Sequence, residues 1–188
     1  MFKLNLILVY LRAQNDRKWI RNGKHLNKKL YHEKPQGWAF DESLSRCLVS
    51  PSAVIIHRSM FNYFGYFNES MRVCEDYDLW LRFLRCRPVG YVPEVTMLKY
   101  GGHSDQLSMS TPVMDRFRLF SLLMLLNDSA NAHLKIIIKD KIIEKLAVLI
   151  QGATKRNHSL LPIYISINEK VLMNEVIELD CINQIIFD

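Results

Sequence analysis

The hydrophobic and polar positions of this chain change period along its length. An apolar stretch from Leu4 to Leu11 predicts a strand, and Arg21-Asn22-Gly23 marks a turn into a basic stretch that reaches Gly37-Trp38. Ser50-Pro51-Ser52 then precedes Ala53-Val54-Ile55-Ile56, an unbroken apolar run of the kind found in a strand covered on both faces. Ser59 is placed to cap a short helix through Phe61 and Phe64, which Gly65 ends. Tyr77, Trp80, Leu81 and Leu84 recur at i, i+3, i+4 and i+7, predicting a helix from Glu75 to about Arg85 that Pro88 closes. Two β-like pieces, 89–94 and 95–100, are interrupted by Pro93 and followed by a loop over 101–106. Beyond Pro112 the period is helical, with helices expected at 112–126, 134–152 and 168–179, and a soft boundary near residue 111.

Composition narrows the class. The chain has 188 residues, 49% hydrophobic and 23% charged, enough apolar material for a packed core and too little charge for disorder. No apolar run approaches the ~20 residues of a membrane-spanning helix, so a transmembrane anchor is not expected. Arg12 follows the first apolar stretch at once and no small-residue cleavage site is evident, so this end reads as structure rather than as an address. Cys47, Cys74, Cys86 and Cys181 form no CxxC pair, which fits a reducing compartment and supports neither a zinc ribbon nor a disulfide framework. The net charge of +6 is concentrated: residues 1–40 carry nine Lys/Arg against two acids, and the remainder is close to neutral. Such a segment suits a phosphate-bearing substrate or an anionic membrane surface, or is a solvated face. Nucleic acid is not the expected partner, because Tyr10, Trp19, Tyr31 and Trp38 show no stacking-platform pattern.

The densest acidic cluster is Glu75, Asp76 and Asp78 at the opening of the predicted helix, where the helix dipole favours negative side chains. Asp78 lies four residues before Arg82, and an intrahelical ion pair accounts for it. Asp76 instead has Leu79 and Trp80 at i+3 and i+4, an apolar wall for its carboxylate. Helix-terminal amides favour its charged form and desolvation disfavours it; a general base profits from the second effect. Asp76-Tyr77-Asp78 is literally a DxD, but residues two apart on a helix point about 200° apart and cannot share a cation.

Trp19-Ile20-Arg21-Asn22-Gly23, Gly37-Trp38, Ser50-Pro51-Ser52-Ala53-Val54, Phe64-Gly65-Tyr66-Phe67-Asn68-Glu69, Glu75-Asp76-Tyr77-Asp78-Leu79-Trp80-Leu81-Arg82 and Gly101-Gly102-His103 occur in an order that resembles the C-terminal half of family 2 glycosyltransferases of the GT-A fold. The resemblance covers about half the chain, from Trp19 to Ser108. It implies an α/β architecture: a partial GT-A (Rossmann-like) sheet over residues 1–111 and a helical extension over 112–188. It also implies an inverting transfer of sugar from a nucleotide-sugar donor to a glycan or lipid-linked hydroxyl acceptor in surface polysaccharide synthesis. Asp76 would be the general base of the ED motif and Glu75 would orient the acceptor. His103, after two glycines, resembles the family's late histidine near the metal and diphosphate. Trp38 offers a flat face to a sugar ring or packs into the core, and Arg21 contacts an acceptor phosphate or stays in water.

The nucleotide-binding half and a loop-borne DxD of such enzymes have no counterpart here, so the chain is expected to be truncated at its N-terminal side. The divalent metal, Mg or Mn, that the family uses would then be held weakly. Without it the departing diphosphate's charge lacks compensation, typically several kcal/mol of barrier, and the isolated chain is expected to turn over slowly or not at all. An uncovered sheet edge at Ala53–Ile56 would recruit a second copy or a partner chain. The rival expectation is a non-catalytic acceptor-binding or assembly module. A cytoplasmic location, peripheral at the inner membrane surface, completes the reading.

Overall fold

The structure, a computed structural model, describes residues 35–92 and 113–187 in full and the backbone of 12–14, 17–21, 24–26 and 97–100. Leu4–Leu11, the 101–106 loop and His103 lie outside the described residues. The chain divides into two compact units, one of residues 1–67 and 79–106, the other of 68–78 and 107–188.

In the first unit the strands are short: β1 (Arg12–Gln14), β2 (Arg17–Arg21), β3 (Lys24–Leu26), β4 (Gly90–Val92) and β5 (Met97–Tyr100). β1 pairs in parallel with β4, while β2 pairs antiparallel with β3 and parallel with β5. Gly37 closes a further antiparallel bridge to Val89 through two backbone hydrogen bonds of 2.7 and 2.8 Å. It does so at φ 83°, a left-handed backbone open to glycine at little cost. That turn leaves Trp38 71% exposed and sends Ala39 and Phe40 inward at the start of α1 (Phe40–Ser45).

The expected partial GT-A (Rossmann-like) α/β sheet is not what forms. Of the residues described in full, 66% are helical and Gly90–Val92 is the lone strand. The residues expected to be an interior strand are the clearest departure. Pro51–Ala53 makes a 3₁₀ turn, Val54 is extended, 54–56 forms neither helix nor strand, and Ile55 is 53% exposed. Four apolar residues are too few to dictate a strand, and the proline supplies the φ of a tight helical turn. The sheet edge proposed there as a recruiting surface is therefore absent from 53–56.

The rest of the first unit is an aromatic core built by α2 (Ser59–Phe64) and the later turns of α3 (Glu75–Leu84). Leu79, Trp80, Leu81, Phe83 and Leu84 are at most 2% exposed. Phe83 takes the rings of Phe61, Phe64 and Trp80 at centroid distances of 5.9, 5.5 and 6.0 Å. Ser59 is the first residue of α2 rather than its cap; the ring Nδ1 of His57 accepts the Ser59 amide at 3.3 Å. Gly65 ends α2 at φ 77°, its amide donating to the Phe61 carbonyl.

The second unit is a helical bundle: α4 (Asp115–Asn127), a 3₁₀ segment Ser129–Leu134, α5 (Lys135–Arg156), α6 (Leu161–Met173) and α7 (Leu179–Phe187). α4 is apolar nearly all round, and Phe117, Leu119, Phe120, Leu122, Leu123 and Leu125 are buried, so it is the central helix. α5 contributes Ile138, Ile142, Leu146 and Leu149 at three- and four-residue steps, a single inward stripe. The helix expected at 168–179 does not run through: α6 ends at Met173 and α7 begins at Leu179, and Asn174 terminates α6 in a left-handed conformation, φ 60°, with its amide on the Lys170 and Val171 carbonyls. Asparagine tolerates that conformation better than other residues with a Cβ. Among the described residues no helix is long and apolar enough to cross a membrane.

Candidate functional site: the opening turn of α3

The acidic cluster sits on the first turn of α3, and that turn is supported within the second unit. Cys74 precedes the helix with φ 62°, uncommon for a residue with a Cβ, and its carbonyl accepts the Asp78 amide at 3.1 Å. The Cys74 thiol, 5% exposed, points at the Met114 carbonyl 3.8 Å away. Met71, three residues earlier, receives the Ser121 hydroxyl on its sulfur at 3.9 Å. Segment 68–78 is thus packed on α4.

At 100° per residue, Cys74, Tyr77 and Asp78 share one side of the turn while Asp76 lies on the opposite side. Burial follows the wheel. Cys74, Tyr77 and Asp78 are buried, whereas Glu75 and Asp76 are half-buried and reach water. The Asp76 Oδ1 accepts the Tyr77 amide at 2.7 Å, an N-terminal amide of the helix. The Asp76-Tyr77-Asp78 triplet is helical throughout, so its carboxylates diverge.

The electrostatics of this side of the bundle come from α4. Asp115 accepts from Arg118 at 2.9 Å and from Lys145 of α5 at 3.0 Å, and Lys145 is buried. Burial alone would raise the Asp115 carboxyl, but these two hydrogen bonds outweigh it and hold it below the usual carboxylate range. Burial pushes the Cys74 thiol up to about 11, with the Arg118 cation opposing and the Asp76 and Glu75 carboxylates reinforcing the rise. Cys74 is therefore a protonated, inert thiol at neutral pH.

The remaining candidates are dispersed. Trp38 stands exposed rather than packed in the core. Arg21 closes β2, opposite Lys24 of β3. Trp80 is a core ring of the first unit, edge-on to Phe67 and Phe83. Among the described residues no three His, Cys, Asp or Glu side chains gather as a metal site would require. Sequence reasoning missed Cys74, whose backbone angle carries no signal in a residue that is neither Gly nor Asn, and the Lys145–Asp115–Arg118 network, which joins residues 30 apart.

Over 63 residues, 34% of its length, the chain is 35% identical to a Rickettsia felis (strain ATCC VR-1525 / URRWXCal2) protein described as an uncharacterized glycosyltransferase. The matched stretch is 10% of that relative's length. The similarity is to a glycosyltransferase. No family model and no solved structure matches the chain.

Proposed function

We propose that this chain takes part in glycosyl transfer, with Asp76 as the general base. Two observations support the reading: the similarity to a glycosyltransferase, and a carboxylate at a helix mouth that reaches water while its neighbour Asp78 is buried. The second carries it, because a base must meet its substrate before its strength matters. In the reaction Asp76 takes the proton of an acceptor hydroxyl. The oxygen attacks the anomeric carbon of a nucleotide sugar, the bond to the diphosphate oxygen breaks, and its electron pair leaves with the diphosphate. The proton passes from Asp76 to water. Attack opposite the leaving group inverts the anomeric configuration. Glu75, beside Asp76 and also half-buried, accepts a second acceptor hydroxyl.

The test is transfer from a panel of labelled nucleoside diphosphate sugars by the protein that carries this chain, native and with Asp76→Asn. Loss of ~10²–10⁴-fold in rate, with an unchanged thermal transition and an inverted product anomer, is the expected result. A variant that transfers at the native rate would make the chain a non-catalytic acceptor-binding module.

A further inference from the structure

Residues 61–67 hold five aromatic rings in seven positions, Phe61, Tyr63, Phe64, Tyr66 and Phe67, more than one short helix and its turn can bury. The structure sorts them. Phe61 and Phe64 turn toward Phe83, and Phe67 lies edge-on to Trp80 at 6.5 Å. Tyr66 remains 65% exposed although one face of its ring is covered, stacked on Phe61 at 5.1 Å and 13° between planes. With 65% of the residue exposed, Tyr66 reaches water beyond that stack.

The ring is also held from behind. The Arg82 guanidinium, rooted in α3, donates to the carbonyls of Phe64 and, at 2.7 Å, of Tyr66. Gly65 between them adopts φ 77°, and a Cβ there would come within 3.3 Å of the Arg82 Nη1. An exposed loop aromatic normally loses rotamer freedom when a ligand covers it. Here a stack on the half-buried Phe61 ring and a doubly bonded backbone have already restricted it, which lowers the cost of binding.

We propose that Tyr66 is a stacking platform for the pyranose ring of a carbohydrate, a site that rests on the glycosyl-transfer reading for its choice of ligand. A flat, rigid ring matches the apolar C–H face of a hexose, and the phenol hydroxyl at its edge meets a sugar hydroxyl. A protein partner would favour an apolar surface ringed by aliphatic side chains; the other exposed side chains of this turn are Asn62, polar, Tyr63, which again carries a hydroxyl, and Phe67, aromatic and 39% exposed, with no aliphatic one among them.

The experiment uses saturation-transfer difference NMR and titration with free glucose, galactose, mannose and N-acetylglucosamine, following the Tyr66 ring resonances. At least one sugar is expected to perturb them, and Tyr66→Ala to weaken its binding about five- to ten-fold. Tyr66→Phe keeps the stack and should keep most of the affinity. In the native protein, sugar binding at Tyr66 without any transfer from nucleotide sugars removes only the catalytic reading, and transfer without any perturbation of Tyr66 removes only this site. No perturbation by any of the four sugars, or equal binding by a folded Tyr66→Ala, would overturn the proposal.

Discussion

Asp115 joins two cations, and removing it should cost far more than removing one of them. In Asp115→Ala the Lys145 ammonium, whose side chain is only 9% exposed, loses its carboxylate at 3.0 Å, and Arg118 loses its own at 2.9 Å. Two hydrogen bonds to charged groups would be worth ~3–6 kcal/mol if fully buried. Asp115 is 36% exposed, so solvent screening reduces this to about 2–3 kcal/mol. Lys145→Met removes the buried charge instead of stranding it, fills the same volume, and should cost less than ~1 kcal/mol. For a chain of this size the first change lowers the thermal midpoint by ~5–10 °C and the second by ~2 °C or less. The pH dependence has a definite sign. The folded Asp115 carboxyl titrates below its unfolded value, so its contribution is complete above the usual carboxylate range and fades as pH falls through the lowered folded value. Urea melts at pH 7 and at pH 3 should therefore show the native protein and Asp115→Ala converging at the lower pH. A Lys145→Met protein less stable than Asp115→Ala, or a gap that does not narrow in acid, would show that stranded charge is not what destabilises Asp115→Ala.

Gly65→Ala forces a Cβ into φ 77° and against Arg82, and should cost about 1–2 kcal/mol by urea titration, with the larger part from the backbone. Iodoacetamide at pH 8 should label the exposed Cys86 long before the buried Cys74, whose thiol is pushed up to about 11; mass spectrometry of timed digests reads the order directly.

The sequence was most legible where one physical rule acted alone. α3 begins at Glu75 and ends at Leu84, one residue short of the expected end, because its apolar positions keep a helical period and Arg87-Pro88 cannot continue it. Ala53–Ile56 failed because a strand exists only with a partner strand, and apolarity alone does not name one. The break at Asn174 was written in the chain, as an asparagine between two apolar helical faces, but a left-handed cap is chosen by the packing on both sides of it. At the candidate site the acids at the helix mouth were readable, along with their divergence by 200°. The supports were not. The Cys74 backbone, the hold of Arg82 on the Phe64 and Tyr66 carbonyls, and the Asp115 network are all tertiary, linking residues 16 or more apart or depending on what a neighbouring helix covers.

In the proposed reaction Asp76, and not the acid two residues on, takes the acceptor's proton. Single-turnover transfer by Asp76→Asn and Asp78→Asn, each compared with the native protein at matched folded fraction, separates the two carboxylates. Asp76→Asn should lose at least ~10²-fold, and Asp78→Asn should show a lowered thermal midpoint with a rate within a few-fold of native. Equal losses in the two variants, or a folded Asp76→Asn protein that keeps most of its rate, would contradict the role of Asp76.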